Sequence, residues 1–140
     1  MGTQLTYLNQ PIKDKHKDVG ENHIYEFIAC SMQGWRTNME DAHIAKLDFK
    51  DNQHLFGVFD GHGGKEVAIW VERNLINILT QDKKYKDGKY NDALYRSFIE
   101  VDKRLNAKEA KQEMLKIREE NPEGKNPFLD LLGLSDVMEK

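Results

Sequence analysis

LFGVFDGHGG, residues 55–64, joins a short apolar run to an aspartate, a histidine and three glycines. The near-continuous apolar character of Leu55–Phe59 predicts a strand buried on both faces. Asp60 then stands at the end of a greasy element, where a carboxylate removed from water must be paired or coordinated. The glycines that follow allow close backbone approach, and the Gly61 carbonyl can face a hard cation. The competing explanation is a tight strand-to-helix turn in which Asp60 caps the next helix. A turn alone does not call for His62 between the glycines.

Two phosphate-cradle patterns fail at the same place. The nucleotide P-loop needs a hydroxyl after its Gly-Lys, and here Glu66 follows Gly64-Lys65. The dinucleotide pattern G-x-G-x-x-G meets Glu66 where its third glycine belongs.

Upstream, Arg36, Glu40 and Asp41 lie within RTNMED, residues 36–41. On extended chain, neighbouring side chains point to opposite faces, so one of the two acids reaches a site while the other supports it through water. Arg36 carries a planar fork suited to phosphate or carboxylate. Taken alone, an ordinary Arg36–Glu40 surface pair explains these residues better, and only the combination with Asp60 favours a site. Glu40, Asp60 and the Gly61 carbonyl make an oxygen donor set that favours magnesium or manganese. Zinc is not indicated, because His16, His23, His43, His54 and His62 show no short ligand spacing and Cys30 is the single cysteine. His62 beside such a site can serve as a general acid.

Around this centre the pattern reads strands first, helices after. Residues 24–34, 43–48 and 55–60 read as three antiparallel strands. Cys30, among apolar neighbours, reads as a small buried residue. Val67, Trp70, Val71, Asn74, Leu75, Ile78 and Leu79 give a helix near 65–80. Leu94, Phe98, Val101 and Leu105 form the stripe of a second helix near 91–106, capped by Asn91. KEAKQEMLKIREE continues as a third helix, and residues 81–90 read as a charged loop. Residues 1–22 are polar and aperiodic and read as a flexible leader, with 23–140 as the folded portion.

Composition sets outer bounds. Of 140 residues 39% are hydrophobic, enough for a packed core. Twenty-one basic residues against 24 acidic ones leave a net charge of -3, which is no footprint for nucleic acid. One cysteine excludes a disulfide framework, and no apolar run is long enough for a membrane-spanning helix. A cytoplasmic protein is expected, with the nucleus or a peripheral membrane position as variants. The start MGTQLT fits the N-myristoylation pattern at Gly2, which would give weak, reversible membrane contact.

SMQGWRTNMEDAH followed by FGVFDGHGG, within residues 31–64, resembles the type 2C serine/threonine phosphatases, the metal-dependent PPM family. The resemblance implies an α+β fold of αββα type, a two-sheet β-sandwich flanked by helices, of which this chain supplies the N-terminal half. It implies hydrolysis of phosphoserine and phosphothreonine in proteins through water activated by two ions, Mg2+ or Mn2+. In that scheme Asp60 bridges the ions, Glu40 and the Gly61 carbonyl bind one of them, and Asp41 holds metal-bound water. Arg36 grips the phosphate, and His62 protonates the departing oxygen. A monomer is expected. Family domains are longer, and Asp130 and Asp136 do not resemble their later metal-binding segments. The chain is therefore expected to be truncated and to show little activity alone. The alternative is a non-catalytic form that binds partners or substrates.

Overall fold

The computed structural model describes residues 7–121. Gly2, Asp130 and Asp136 lie outside the described residues. Four strands precede four helices: β1 (Tyr7–Glu21), β2 (Glu26–Arg36), β3 (Ala42–Lys50), β4 (Gln53–Phe59), α1 (Glu66–Gln81), α2 (Lys83–Lys86), α3 (Tyr90–Leu105) and α4 (Lys108–Glu120). The α+β class expected from the sequence is what these residues form. They divide into a β unit, residues 7–39 with 43–58, and a helical unit, residues 40–42 with 59–121.

In the β unit, β1 pairs with β2 and β3 with β4, giving two sheets of two strands. The strand β1 corrects the expectation of a flexible leader over residues 7–21. Its register runs antiparallel from Glu21 opposite Glu26, through Lys17 opposite Cys30, to Tyr7 opposite Arg36. A ladder of backbone bonds needs no apolar alternation, so a ribbon wet on both faces leaves no period to read. The register slips between Tyr7 and Lys15, around Pro11, which has no N–H to offer the ladder. Asn22 sets the turn into β2: its Oδ1 accepts from the N–H groups of Ile24 and Tyr25 at 2.9 and 2.7 Å.

The β3–β4 turn consists of Asp51 and Asn52, both left-handed at φ 49° and 58°. Two such residues are the signature of a type I′ hairpin turn, which matches the natural strand twist. Phe27 of β2 and Phe56 of β4 meet edge to face with ring centroids 5.7 Å apart. Two expectations fail in this unit. β4 is not buried on both faces, because Phe56 and Val58 are exposed while Leu55, Gly57 and Phe59 are half-buried. Cys30 is exposed rather than buried, on the same side of β2 as Ile28 and Met32. The reason is common to both: among the described residues each sheet has only two strands and no covering layer over these faces.

The helical unit carries most of the core. α1 packs against α3 and α4, burying Trp70, Val71, Leu75, Ile78 and Leu79. Ala110, Met114 and Ile117 line the inner face of α4. On α3 the buried stripe is Ala93, Ser97 and Val101, whereas Leu94 and Phe98 are exposed, so the expected face is rotated. Small residues let two helices approach closely, and the bulkier neighbours are then turned outward. The buried Ser97 hydroxyl donates to the Leu94 carbonyl at 2.7 Å. Asn91 is not the cap, because the helix already starts at Tyr90 after Lys89. The expected charged loop contains the short helix α2, started by Asp82, whose carboxylate accepts from the Lys84 N–H at 2.7 Å.

Candidate functional site

The acidic motifs meet through backbone. A Cβ placed on Gly61 would lie far inside contact distance of the Glu40 carbonyl oxygen, 3.1 Å from the Glu40 carbonyl carbon and 2.8 Å from the Gly64 oxygen. Only glycine permits this approach. The DGHGG loop is thereby seated against the segment bearing Glu40 and Asp41, and all of these residues belong to the helical unit. Gly63, at φ 72°, takes a left-handed turn on the way to α1.

Exposure along this segment follows the alternation expected of extended chain. Glu40 is half-buried and Asp41 exposed, ahead of buried Ala42. Asp60 and His62 are exposed and flank buried Gly61. Asp60 thus does not carry the burial penalty inferred from the sequence, because the face of β4 beside it is open. Nor is it a helix cap: α1 begins at Glu66, its cap position is Lys65, and no side chain caps it there. The turn explanation for Asp60 fails on that geometry, while a ligand role stays compatible with it.

Arg36 ends β2 in the other unit, with its side chain exposed. Its backbone is held by Gln33, whose Nε2 donates to the carbonyls of Arg36 and Thr37, each at 3.0 Å. Sequence reading did not single out Gln33, because its fold-back to the Arg36 and Thr37 carbonyls leaves no mark in the spacing. Glu66 entered the sequence reading only to reject the two phosphate-cradle patterns. It is buried in the first turn of α1, where an acid complements the positive helix end. Its place two residues after the Gly63–Gly64 pair was the readable signal.

The fit to divalent ions is partial. The candidate donors are hard oxygens, the carboxylates of Glu40, Asp41 and Asp60 and the Gly61 carbonyl, which suit magnesium or manganese. Among the described residues no three side chains of histidine, cysteine, aspartate or glutamate converge on one point. No helix among them is long and apolar enough to cross a membrane.

Comparison with known proteins bears on the same residues. Residues 25–125 match the family protein phosphatase 2C. Probable protein phosphatase 2C 5 of Paramecium tetraurelia is 44% identical over 117 residues, covering 84% of this chain and 40% of the relative. Probable protein phosphatase 2C 4 of the same organism is 46% identical over 112 residues, covering 80% and 37%. Protein phosphatase ppm-1.G of Caenorhabditis elegans is 36% identical over 114 residues, covering 81% and 23%. The chain spans at most 40% of the length of these relatives. With the family match running through both acidic motifs and into α4, the chain belongs to the protein phosphatase 2C family.

Proposed function

We propose that the intact protein hydrolyses phosphoserine and phosphothreonine in protein substrates, and that residues 36–62 carry the part of the site present in this chain. The observation that supports the proposal is the close approach of Gly61 to the Glu40 backbone. Glu40, Asp60 and the Gly61 carbonyl would hold divalent cations, with Asp41 binding water beside them. Such ions, magnesium or manganese, supply Lewis acidity to phosphoryl oxygens and lower the pKa of water.

The remaining roles fall to this chain's own side chains. Arg36 offers paired N–H donors to two phosphate oxygens, orienting phosphorus for in-line attack by water. As the bond from phosphorus to the seryl or threonyl oxygen breaks, protonated His62 delivers its proton to that oxygen. The products are the free hydroxyl side chain and inorganic phosphate. Gln33, by fixing the backbone at Arg36 and Thr37, is a positioning residue.

Because no three ligand side chains converge among the described residues, the 140-residue chain alone is expected to bind cations weakly and to turn over little. The test grafts residues 25–125 into the corresponding place of the Paramecium tetraurelia relative. Manganese-dependent release of phosphate from a phosphothreonine peptide is expected. Asp60→Asn should lower it by about 10²- to 10³-fold, the usual size for loss of one charge-stabilising group. A folded graft with no turnover, or one indifferent to Asp60→Asn, contradicts the proposal.

A further inference from the structure

The helical unit also holds a cleft of about 620 Å³ to which neither acidic motif contributes. Its walls are the end of α1, the start of α2 and a stripe of α3 on which Arg96, Glu100 and Arg104 recur every four residues. Arg96 Nε donates to Asp82 Oδ2 at 3.0 Å, and Arg104 Nε donates to Glu100 Oε1 at 2.8 Å. A bond through Nε leaves the two terminal nitrogens of a guanidinium open as a fork. No other residue among those described hydrogen-bonds to either group. The carboxylates are in the opposite condition. Asp82 Oδ1 accepts from the Lys84 N–H at 2.7 Å, and Glu100 Oε2 lies 3.9 Å from Lys103 Nζ. Each carboxylate oxygen thus has an internal partner, while both forks are free to take an acceptor. Along the walls Lys83, Arg96 and Arg104 outnumber Asp82 and Glu100, a local positive surplus in a chain of net charge -3. The cleft favours an anion.

Spacing narrows the kind of anion. Residues 96 and 104 stand about 12 Å apart along the α3 axis at 1.5 Å per residue, too far for one carboxylate or phosphate to bridge. An extended peptide places side chains four residues apart on one face, about 13 Å from each other. Tyr95 and Ile99, 71% and 55% exposed on the same walls, offer apolar surface to the residues between. Each guanidinium is already held by its own carboxylate, which lowers the ordering cost of gripping a ligand. We propose that this cleft docks an extended acidic segment, two of whose carboxylate side chains, four residues apart, enter the Arg96 and Arg104 forks. Resting on the phosphatase reading above, the segment belongs to the phosphoprotein substrate and lies away from its phosphorylated residue.

The test titrates the 140-residue chain into a fluorescent, unphosphorylated peptide bearing glutamates four residues apart and reads its anisotropy. Saturable binding is expected, weakened by salt and lowered about fivefold by Arg96→Gln or by Arg104→Gln. Both side chains are exposed, at 57% and 42%, so the variants should keep the circular dichroism of the natural chain. Asp60→Asn should leave binding unchanged. Equal binding of a peptide with glutamines in place of the glutamates, or with the two glutamates adjacent, would overturn the proposal, as would indifference to both arginine variants. The substrate role is read in the Paramecium tetraurelia graft. A phosphothreonine peptide joined to the acidic segment by a flexible linker should show a lower KM than one without it. Arg96→Gln together with Arg104→Gln should abolish that gain and leave kcat unchanged, and a gain that survives both would overturn the proposal. A folded graft with no turnover, beside intact peptide binding by the natural chain, would instead count against the phosphatase reading and leave the docking cleft standing.

Discussion

The helical unit and the β unit close their surfaces to different degrees. In the helical unit Ala93 and Met114 are fully buried, and Trp70 Nε1 donates to Glu113 Oε2 at 2.7 Å, so even the indole has its partner. In the β unit Ile28 and Val58 face outward on sheets of two strands. The difference follows from the elements themselves. A helix satisfies its backbone internally and needs only one stripe covered, which two neighbouring helices supply. A sheet satisfies its backbone laterally and presents two faces, each needing a layer. The same chain therefore completes a core in one unit and leaves apolar faces in the other.

This contrast sets the order of expected effects. Met114→Ala removes a fully buried side chain and should cost about 2–5 kcal/mol by denaturant unfolding of the helical signal. A loss under about 1 kcal/mol would mean that the helical core is looser than its burial implies. Gly61→Ala places a methyl group against Glu40 and Gly64 and should cost about 1–3 kcal/mol, the range for overpacking. Its amide shifts in NMR spectra should spread to residues 40–42, and shifts confined to 60–64 would deny the close approach.

Acid should act on the helical unit through a named pair. The Arg96 guanidinium, 3.0 Å from Asp82, and the Lys84 N–H hold the Asp82 carboxyl below its ordinary range. Arg104 does the same for Glu100. A carboxyl depressed in the folded state contributes fully above its ordinary value of 3.8 for Asp82, and the contribution fades as pH falls through the folded value. The melting difference between the natural chain and Asp82→Asn should therefore shrink on acidification below that value and in high salt. A difference that grows with acid would reverse the sign of the argument. The smallest effect belongs to the β unit: Val58→Thr on an open face should change stability by no more than about 0.5 kcal/mol. A larger loss would show that this face is covered in solution.

The same contrast explains what could be read in the sequence. α1 was legible because a buried stripe repeats at helical spacing, from Trp70 to Leu79. The inner face of α3 was not, because Ala93 and Ser97 carry little hydrophobic signal and Leu94 and Phe98 carry a strong one on the outer side. β1 escaped notice because backbone pairing writes no side-chain period. The burial of β4 was over-read, since an apolar run reports what a face could bury and not what lies over it. Around the candidate site, the glycines and acids of DGHGG and MED were informative because few other roles demand them in that order. Gln33 was not, because its part depends on a fold-back to Arg36 and Thr37 that no spacing announces.

In the proposed reading, the close approach of Gly61 to Glu40 would let the two acidic segments share one cation. Manganese added to the isotopically labelled chain broadens nearby amide signals, and this locates the ion directly. The account predicts joint broadening of residues 40–41 and 60–62, abolished by Asp60→Asn. Broadening of only one of these segments, or broadening that survives Asp60→Asn unchanged, would contradict it.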